Sequence, residues 1–179
     1  MQTKTALLSA LIATLIAGVA VASAAISPEP AKPVDPTRYV GRWYEIARFP
    51  NKLQTGCDAP TSDWTPTGAG AFAVVQTCHV GSPTGPTKVW RAAGKVLNTG
   101  ANKIRIGFLG GLIQRDYWIV DRGDDYSWCI MSMPNPKYVW IMSKRPVISA
   151  AERTALIQRA HTLGYDTTNL VFDDQPPAA

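Results

Sequence analysis

The sequence predicts an all-β domain, a sandwich or barrel of eight short antiparallel strands followed by one α-helix. Three observations carry that expectation. From Gly41 onward, β-type runs alternate with turn residues roughly every ten positions, the spacing of all-β sandwiches and barrels. The connections are short, which makes neighbouring strands antiparallel hairpins. Beyond the last long run, Ser149-Ala150-Ala151-Glu152 opens a segment with helical periodicity.

The strands are expected at 42–48, 57–65, 70–79, 88–96, 102–108, 115–121, 125–131 and 138–143. Pro66-Thr67-Gly68, Pro83-Thr84-Gly85-Pro86, Asn98-Thr99-Gly100, Gly110-Gly111, Arg122-Gly123-Asp124 and Pro134-Asn135-Pro136 separate them. The stretch 49–56 is the longer connection, and it can form a lid over one end of a barrel. In the helix, Ser149 is the N-cap and Glu152 reaches back to it as a capping box. Leu156, Ile157, Ala160 and Leu163 make its apolar stripe, and Gly164 supplies the left-handed stop. Leu170-Val171-Phe172 reads as a last short strand.

Ahead of the strands, residues 1–24 read as a secretory signal peptide. Lys4 gives the positive end, Ala6 to Val21 the apolar run, and Ala22-Ser23-Ala24 a small-x-small cleavage site. The apolar run is short for a membrane span. No Cys follows the cleavage site, so a lipobox is not expected. Residues 25–38 form a Pro-rich extended leader, expected to be mobile where it leaves the signal peptide. The domain proper spans 39–175. The expected location is therefore the periplasm or cell envelope.

Removing Lys4 leaves 17 Lys and Arg against 13 Asp and Glu. Lys88, Arg91, Lys95, Lys103, Arg105 and Arg115 are scattered, with no run and no helix face, which speaks against nucleic acid. They read as solvated outer faces of strands. A mild positive surface still favours anionic lipid headgroups and so a peripheral membrane contact. The two histidines, His79 and His161, have no second ligand at a metal spacing. Neither a metal nor a cofactor is expected, and no nucleophile, Walker or Cys/His/Asn motif is present. Glu45 and Asp121 near a barrel axis would be the carboxylates available for acid–base work, but structural hydrogen bonding is the simpler role.

Turn-centred pairing assigns the faces. Around Asn135, Trp128 falls opposite Met142, Ile130 opposite Trp140 and Ser132 opposite Tyr138. Ile119 then lies near Trp128 and Tyr117 near Ile130. Around Thr99, Trp90 pairs with Phe108, Ala92 with Ile106 and Gly94 with Ile104. The expected interior holds Trp90, Ile104, Ile106, Phe108, Tyr117, Ile119, Trp128, Ile130, Tyr138 and Trp140. Cys129, Met131, Val139 and Ile141 fall on the other side, where the helix stripe covers the last strand. Small residues (Ala47, Ala92, Gly94) among large rings suggest an interior left partly open, suited to a lipid or other flat apolar ligand.

Export permits disulfides, but three cysteines allow at most one intramolecular bridge. Cys57 and Cys78 are symmetric about Thr67-Gly68, which places them opposite each other at the far end of that hairpin. Cys129 is expected to stay a thiol on the outer face, under the helix or a loop.

Gly41-Arg42-Trp43-Tyr44-Glu45-Ile46-Ala47-Arg48-Phe49-Pro50-Asn51 resembles the first signature of the lipocalins, in the form found in bacterial outer-membrane lipocalins and their apolipoprotein D relatives. Tyr117 to Asp121 followed by Asp125-Tyr126 looks like the second signature region, and Val139 to Pro146 like the third. The resemblance runs from about Tyr39 to Phe172. It implies an eight-stranded antiparallel up-and-down β-barrel with a C-terminal α-helix. In it Gly41 and Trp43 form the closed end, and Asp121 helps organise a turn between two strands. A cation, Lys144 by strand parity or else Arg145 through a local bulge, lies over Trp43. It also implies a non-enzymatic carrier of a fatty acid or lysophospholipid, for envelope lipid transport or storage. The ligand would touch Ala47, Trp90, Ile106, Phe108, Tyr117, Ile119, Trp128, Ile130, Tyr138 and Trp140. The competing function is a barrel enzyme acting on a small apolar substrate.

Overall fold

The computed structural model describes residues 26–176; the signal-peptide segment lies outside them. A short helix α1 (Pro36–Tyr39) leads into β1 (Gly41–Arg48). Then follow β2 (Cys57–Gly68), β3 (Ala71–Val80), β4 (Thr87–Val96), β5 (Lys103–Phe108), β6 (Ile113–Arg122), β7 (Trp128–Ser132) and β8 (Val139–Ser143). Helix α2 (Ala150–Thr162) and the two-residue β9 (Val171–Phe172) complete the chain. Each strand pairs antiparallel with its sequence neighbour, and β1 pairs with both β2 and β8, which closes an eight-stranded barrel. β9 adds to the end of β1.

The core has two layers. One fills the lower barrel and includes Tyr39, Trp43, Trp64, Phe72, Ile104 and Ile119. The other lies between the barrel wall and α2, where Leu156 and Ala160 meet Trp118, Val120, Ile130, Val139 and Ile141. α2 begins as expected: Ser149 and Glu152 form a reciprocal capping box. Its apolar stripe covers the outward face of β8, which buries Val139 and Ile141.

Four expected registers shift, that of β2–β3 first, where Cys57 falls opposite Val80 rather than Cys78. The β4–β5 pairing sets Ala92 opposite Phe108 and Gly94 opposite Ile106, because the turn closes on Leu97 and Lys103. That two-residue slip keeps every side chain on its expected face. In β7–β8 the slip is one residue. Trp128 faces Ser143, Ile130 faces Ile141 and Met131 faces Trp140. An even loop causes this: Met133 N–H donates to Tyr138 O (3.1 Å), and Lys137 N–H donates to the Asn135 side chain (3.0 Å). A one-residue slip reverses both faces of a strand, so β7 turns Cys129 and Met131 inward and Trp128 and Ile130 toward α2. In β6–β7, Ile119 pairs with Met131 and Asp121 with Ile130, with a bulge between.

The leader is fastened rather than mobile. Ser27 N–H donates to Pro134 O (2.9 Å), Val34 N–H to Gly100 O (2.8 Å), and Arg122 Nη2–H to Pro33 O (2.7 Å). Ser27 and Val34 are buried.

Candidate functional site

The barrel is plugged at one end and open at the other. At the plugged end Trp43 is fully buried, and its Nε1–H donates to Tyr39 O (2.8 Å). Lys144 Nζ lies 4.1 Å from the Trp43 ring centroid and donates to Val40 O (2.6 Å) and Tyr39 O (3.3 Å). Lys144 is therefore the cation over the ring, and Arg145 instead pairs with Glu152 at the start of α2. Gly41 opens β1 with φ +90°, a backbone state that favours glycine. Asp121 points outward across the bulge to Arg159 of α2, and Tyr126 manages the floor turn. The Tyr126 ring is flanked by Arg38 and Arg122, each 4.3 Å from its centroid, and its hydroxyl accepts from Asp35 N–H (2.7 Å).

Above this floor lies a cavity of about 680 Å³. Five of the expected contacts line it: Trp90, Ile106, Phe108, Tyr117 and Trp140. Ile119 belongs to the packed barrel interior, outside the cavity wall. Tyr138 stacks on Trp140 with ring centroids 6.4 Å apart, also outside the cavity wall. Trp128 and Ile130 face α2 because of the β7 register. Ala47 faces that side too, since the bulge between Glu45 and Ala47 moves it off the inward row of Trp43 and Glu45.

Sequence reasoning missed Met131, Met142, Ser62, Gln76 and Arg115, all on the cavity wall. Arg115 shares the inward row of β6 with Tyr117 and pairs with Ile106, although its charge reads as an outer-face residue. The clue to Met131 is in the sequence: an even loop between Ser132 and Val139.

The connection after β1 does cover part of the mouth. Its 3₁₀ turn, Lys52–Gln54, brings Leu53 and Gln54 to the cavity. Gln54 latches it: Nε2–H donates to Glu45 (2.8 Å), and Oε1 accepts from Trp140 Nε1–H (2.8 Å). Glu45 also accepts from Arg48 (3.0 Å), which pairs in turn with Asp173. Two buried carboxylates share one guanidinium. Burial, with Asp173 close by, pushes the Glu45 carboxyl up to about 8. Burial likewise raises Asp173, and it pushes the Tyr117 phenol up to about 12.

Cys57 and Cys78 form the expected disulfide, with Cα atoms 5.4 Å apart. They are not directly opposed: Cys57 pairs with Val80, and the ladder shifts between Asp58 and Thr61. Ala59 sits there at φ +44°, and the bulge swings Cys57 toward Cys78. Cys129 is the free thiol, buried on the inner face rather than the outer, with Sγ 3.8 Å from the Tyr39 hydroxyl. His79 Nδ1 bonds Gly85 O (2.9 Å), and among the described residues no group of His, Cys, Asp and Glu is clustered to hold a metal.

The lipocalin-like domain profile matches residues 34–175. The chain is 28% identical over 162 residues to outer membrane lipoprotein Blc of Citrobacter freundii, covering 85% of this chain and 89% of that one. It is 26% identical to temperature-induced lipocalin-1 of Arabidopsis thaliana, covering 83% and 85%. Among solved structures it is similar to insecticyanin from the tobacco hornworm Manduca sexta (TM-score 0.67, 16% identity, 83% and 84% covered). It is also similar to lobster apocrustacyanin A1 (TM-score 0.62, 16% identity, 85% and 92% covered). The structural likenesses bear on the fold alone.

Proposed function

The chain belongs to the lipocalin-like family, and from that premise we propose that it is an exported carrier holding one fatty acid or lysophospholipid in its barrel, for lipid transport or storage in the cell envelope. Carriage of a small hydrophobic ligand follows from the family and the fold together; the lipid class is our inference. One observation carries it: an aromatic-walled cavity, plugged by Trp43 and open at the far end. A single acyl chain fits such a wall, and Arg115 and Arg91 at its edge suit a carboxylate or phosphate.

The competing enzymatic reading would use Glu45 and Tyr117. Glu45 is engaged by Arg48 and Gln54, and the phenol of Tyr117 is held neutral by burial. Both favour a structural role. Native mass spectrometry separates the readings: a co-purifying lipid supports the carrier, and a converted substrate the enzyme.

Envelope location is supported by relatives named as outer membrane lipoproteins. Contact with an anionic lipid surface is supported at the mouth. Leu109 and Leu112 are 69% and 87% exposed there. Lys52, Lys88, Arg91, Arg115 and Lys137 are exposed around them. None of the five enters an ion pair among the described residues.

A fatty-acid chain-length series tests the carrier. Burying each methylene contributes roughly 0.8 kcal/mol, so affinity is expected to climb with length until the cavity is full. Quenching of Trp90 and Trp140 fluorescence reports it. Absence of binding, or affinity independent of length, would overturn the lipid reading.

A further inference from the structure

The cavity is not uniformly apolar at depth. Ser62 of β2 lines it and is only 8% exposed, yet its hydroxyl has no hydrogen-bond partner. Ser62 stands directly across from Trp43 on β1, at the barrel floor, and directly across from Gln76 on β3. Gln76 also lines the cavity, and its amide makes no side-chain hydrogen bond among the described residues. A hydroxyl and a carboxamide thus sit side by side on one wall with unused donors and acceptors. A buried polar group left unpaired is uncommon and costly, which makes the Ser62 hydroxyl, with the half-buried Gln76 amide beside it, a place where a ligand group completes the fold's bonding.

We propose that Ser62 and Gln76 form a hydroxyl-recognising subsite, so that the preferred ligand is an acyl chain bearing a neutral polar group toward its inserted end. This rests on the carrier reading above and names the chemistry of its ligand. A neutral group is favoured because, among the described residues, no free cation shares that wall's inward row: Arg91 on β4 pairs with Val75, in the row alternate to Gln76 and Trp90. Lys144 lies at the floor, bound to the Tyr39 and Val40 carbonyl oxygens, and Arg115 is on β6, four strands around the ring from β2. A carboxylate inserted head-first would be buried without a counter-charge. An ordinary alkyl terminus would leave the Ser62 hydroxyl unpaired.

The experiment uses the whole protein and compares dodecanoic, tetradecanoic and hexadecanoic acids with their ω-hydroxy counterparts. A purely apolar pocket penalises a terminal hydroxyl by about tenfold or more. The wild type is expected to bind the ω-hydroxy acid at least as tightly as the plain acid at one or more chain lengths. Ser62→Ala and Gln76→Leu together should restore the penalty. Ser62→Ala should leave the melting temperature of the ligand-free protein level or higher, since it removes an unpartnered hydroxyl. The subsite is overturned by a tenfold preference of the wild type for the plain acid at every length. A preference ratio that Ser62→Ala leaves unchanged overturns it too, as does a clear fall in melting temperature. Plain acids binding well in those cases would spare the carrier reading; if neither series binds, both fall.

Discussion

The two ends of the barrel use the same residue types to opposite effect. At the floor, rings of Tyr39, Trp43, Trp64 and Phe72 pack against one another, with centroids 5.0 to 5.6 Å apart. The Trp43 Nε1–H and the Lys144 ammonium both find carbonyl partners there. At the mouth, Trp90, Leu109, Leu112 and Ile113 stand exposed, and Lys52, Lys88, Arg91, Arg115 and Lys137 make no ion pair among the described residues. Aromatic and basic side chains close one end and leave the other open, and what separates the outcomes is whether their partners lie within the chain. Stability is concentrated where bonding is internally complete, and binding capacity where it is not.

Substitutions at the two ends should therefore separate stability from binding. Trp43→Ala removes a fully buried indole from the floor and is expected to cost about 3–5 kcal/mol in urea unfolding. A variant with the parent's midpoint would mean the floor is not built around that ring. Replacing both Cys57 and Cys78 by Ala releases a loop with a sequence separation of 21, and should cost roughly 3 kcal/mol in the chain-entropy account. Unfolding in the presence of reductant gives an independent reading of the same quantity.

The Glu45 cluster sits between the two regimes, buried like the floor but latched to the mouth. Its folded carboxyl holds a proton up to about 8, whereas the ordinary value is 4.5. The folded state then binds more protons than the unfolded state across that window, so stability is greatest at the acid end and falls as pH rises. Glu45→Gln mimics the neutral acid and should flatten this decline between about pH 5 and pH 8, with Asp173 leaving a residual slope of the same sign. Equal slopes in melting temperature for variant and parent would assign the decline to other groups. Smallest in stability is Leu112→Asp, expected within about 0.5 kcal/mol of the parent. Its effect should appear in sedimentation with phosphatidylglycerol vesicles, which it weakens. Unchanged sedimentation would detach the mouth from any lipid surface.

How much of this was legible depended on whether a strand has one wet face. β8 was readable because Val139 and Ile141 alternate with Trp140 and Met142, and the stripe on α2 explained the outward pair. β7 was not. Trp128-Cys129-Ile130-Met131 is apolar at every position because α2 covers one face and the barrel interior lies behind the other, so alternation carries no information and only the loop count fixes the register. Ala47 escaped for a different reason: a bulge is a matter of backbone geometry, and nothing in Ile46-Ala47 marks it. Arg115 shows the limit of reading charge as exposure, since a barrel mouth is solvated on its inner face too. The disulfide is legible in spite of the shifted β2–β3 register, because the bulge at Ala59 brings Cys57 back toward Cys78.

Ring closure has a kinetic consequence. Every hairpin from β2 to β8 joins strands that are neighbours in sequence, but the seam pairs Tyr44 with Ser143. The cost of bringing two chain positions together rises with the logarithm of the intervening length, so the entropic burden of assembly is concentrated at this single junction. Before it closes, the eight strands, each joined to its sequence neighbour, make an open, curling sheet whose bare edges are β1 and β8. Until β1 meets β8, the inner wall is solvent-exposed, and the sheet is most vulnerable to pairing with another chain. The buried Arg48 with its two carboxylates lies at the end of that seam, among the last parts of the molecule to form.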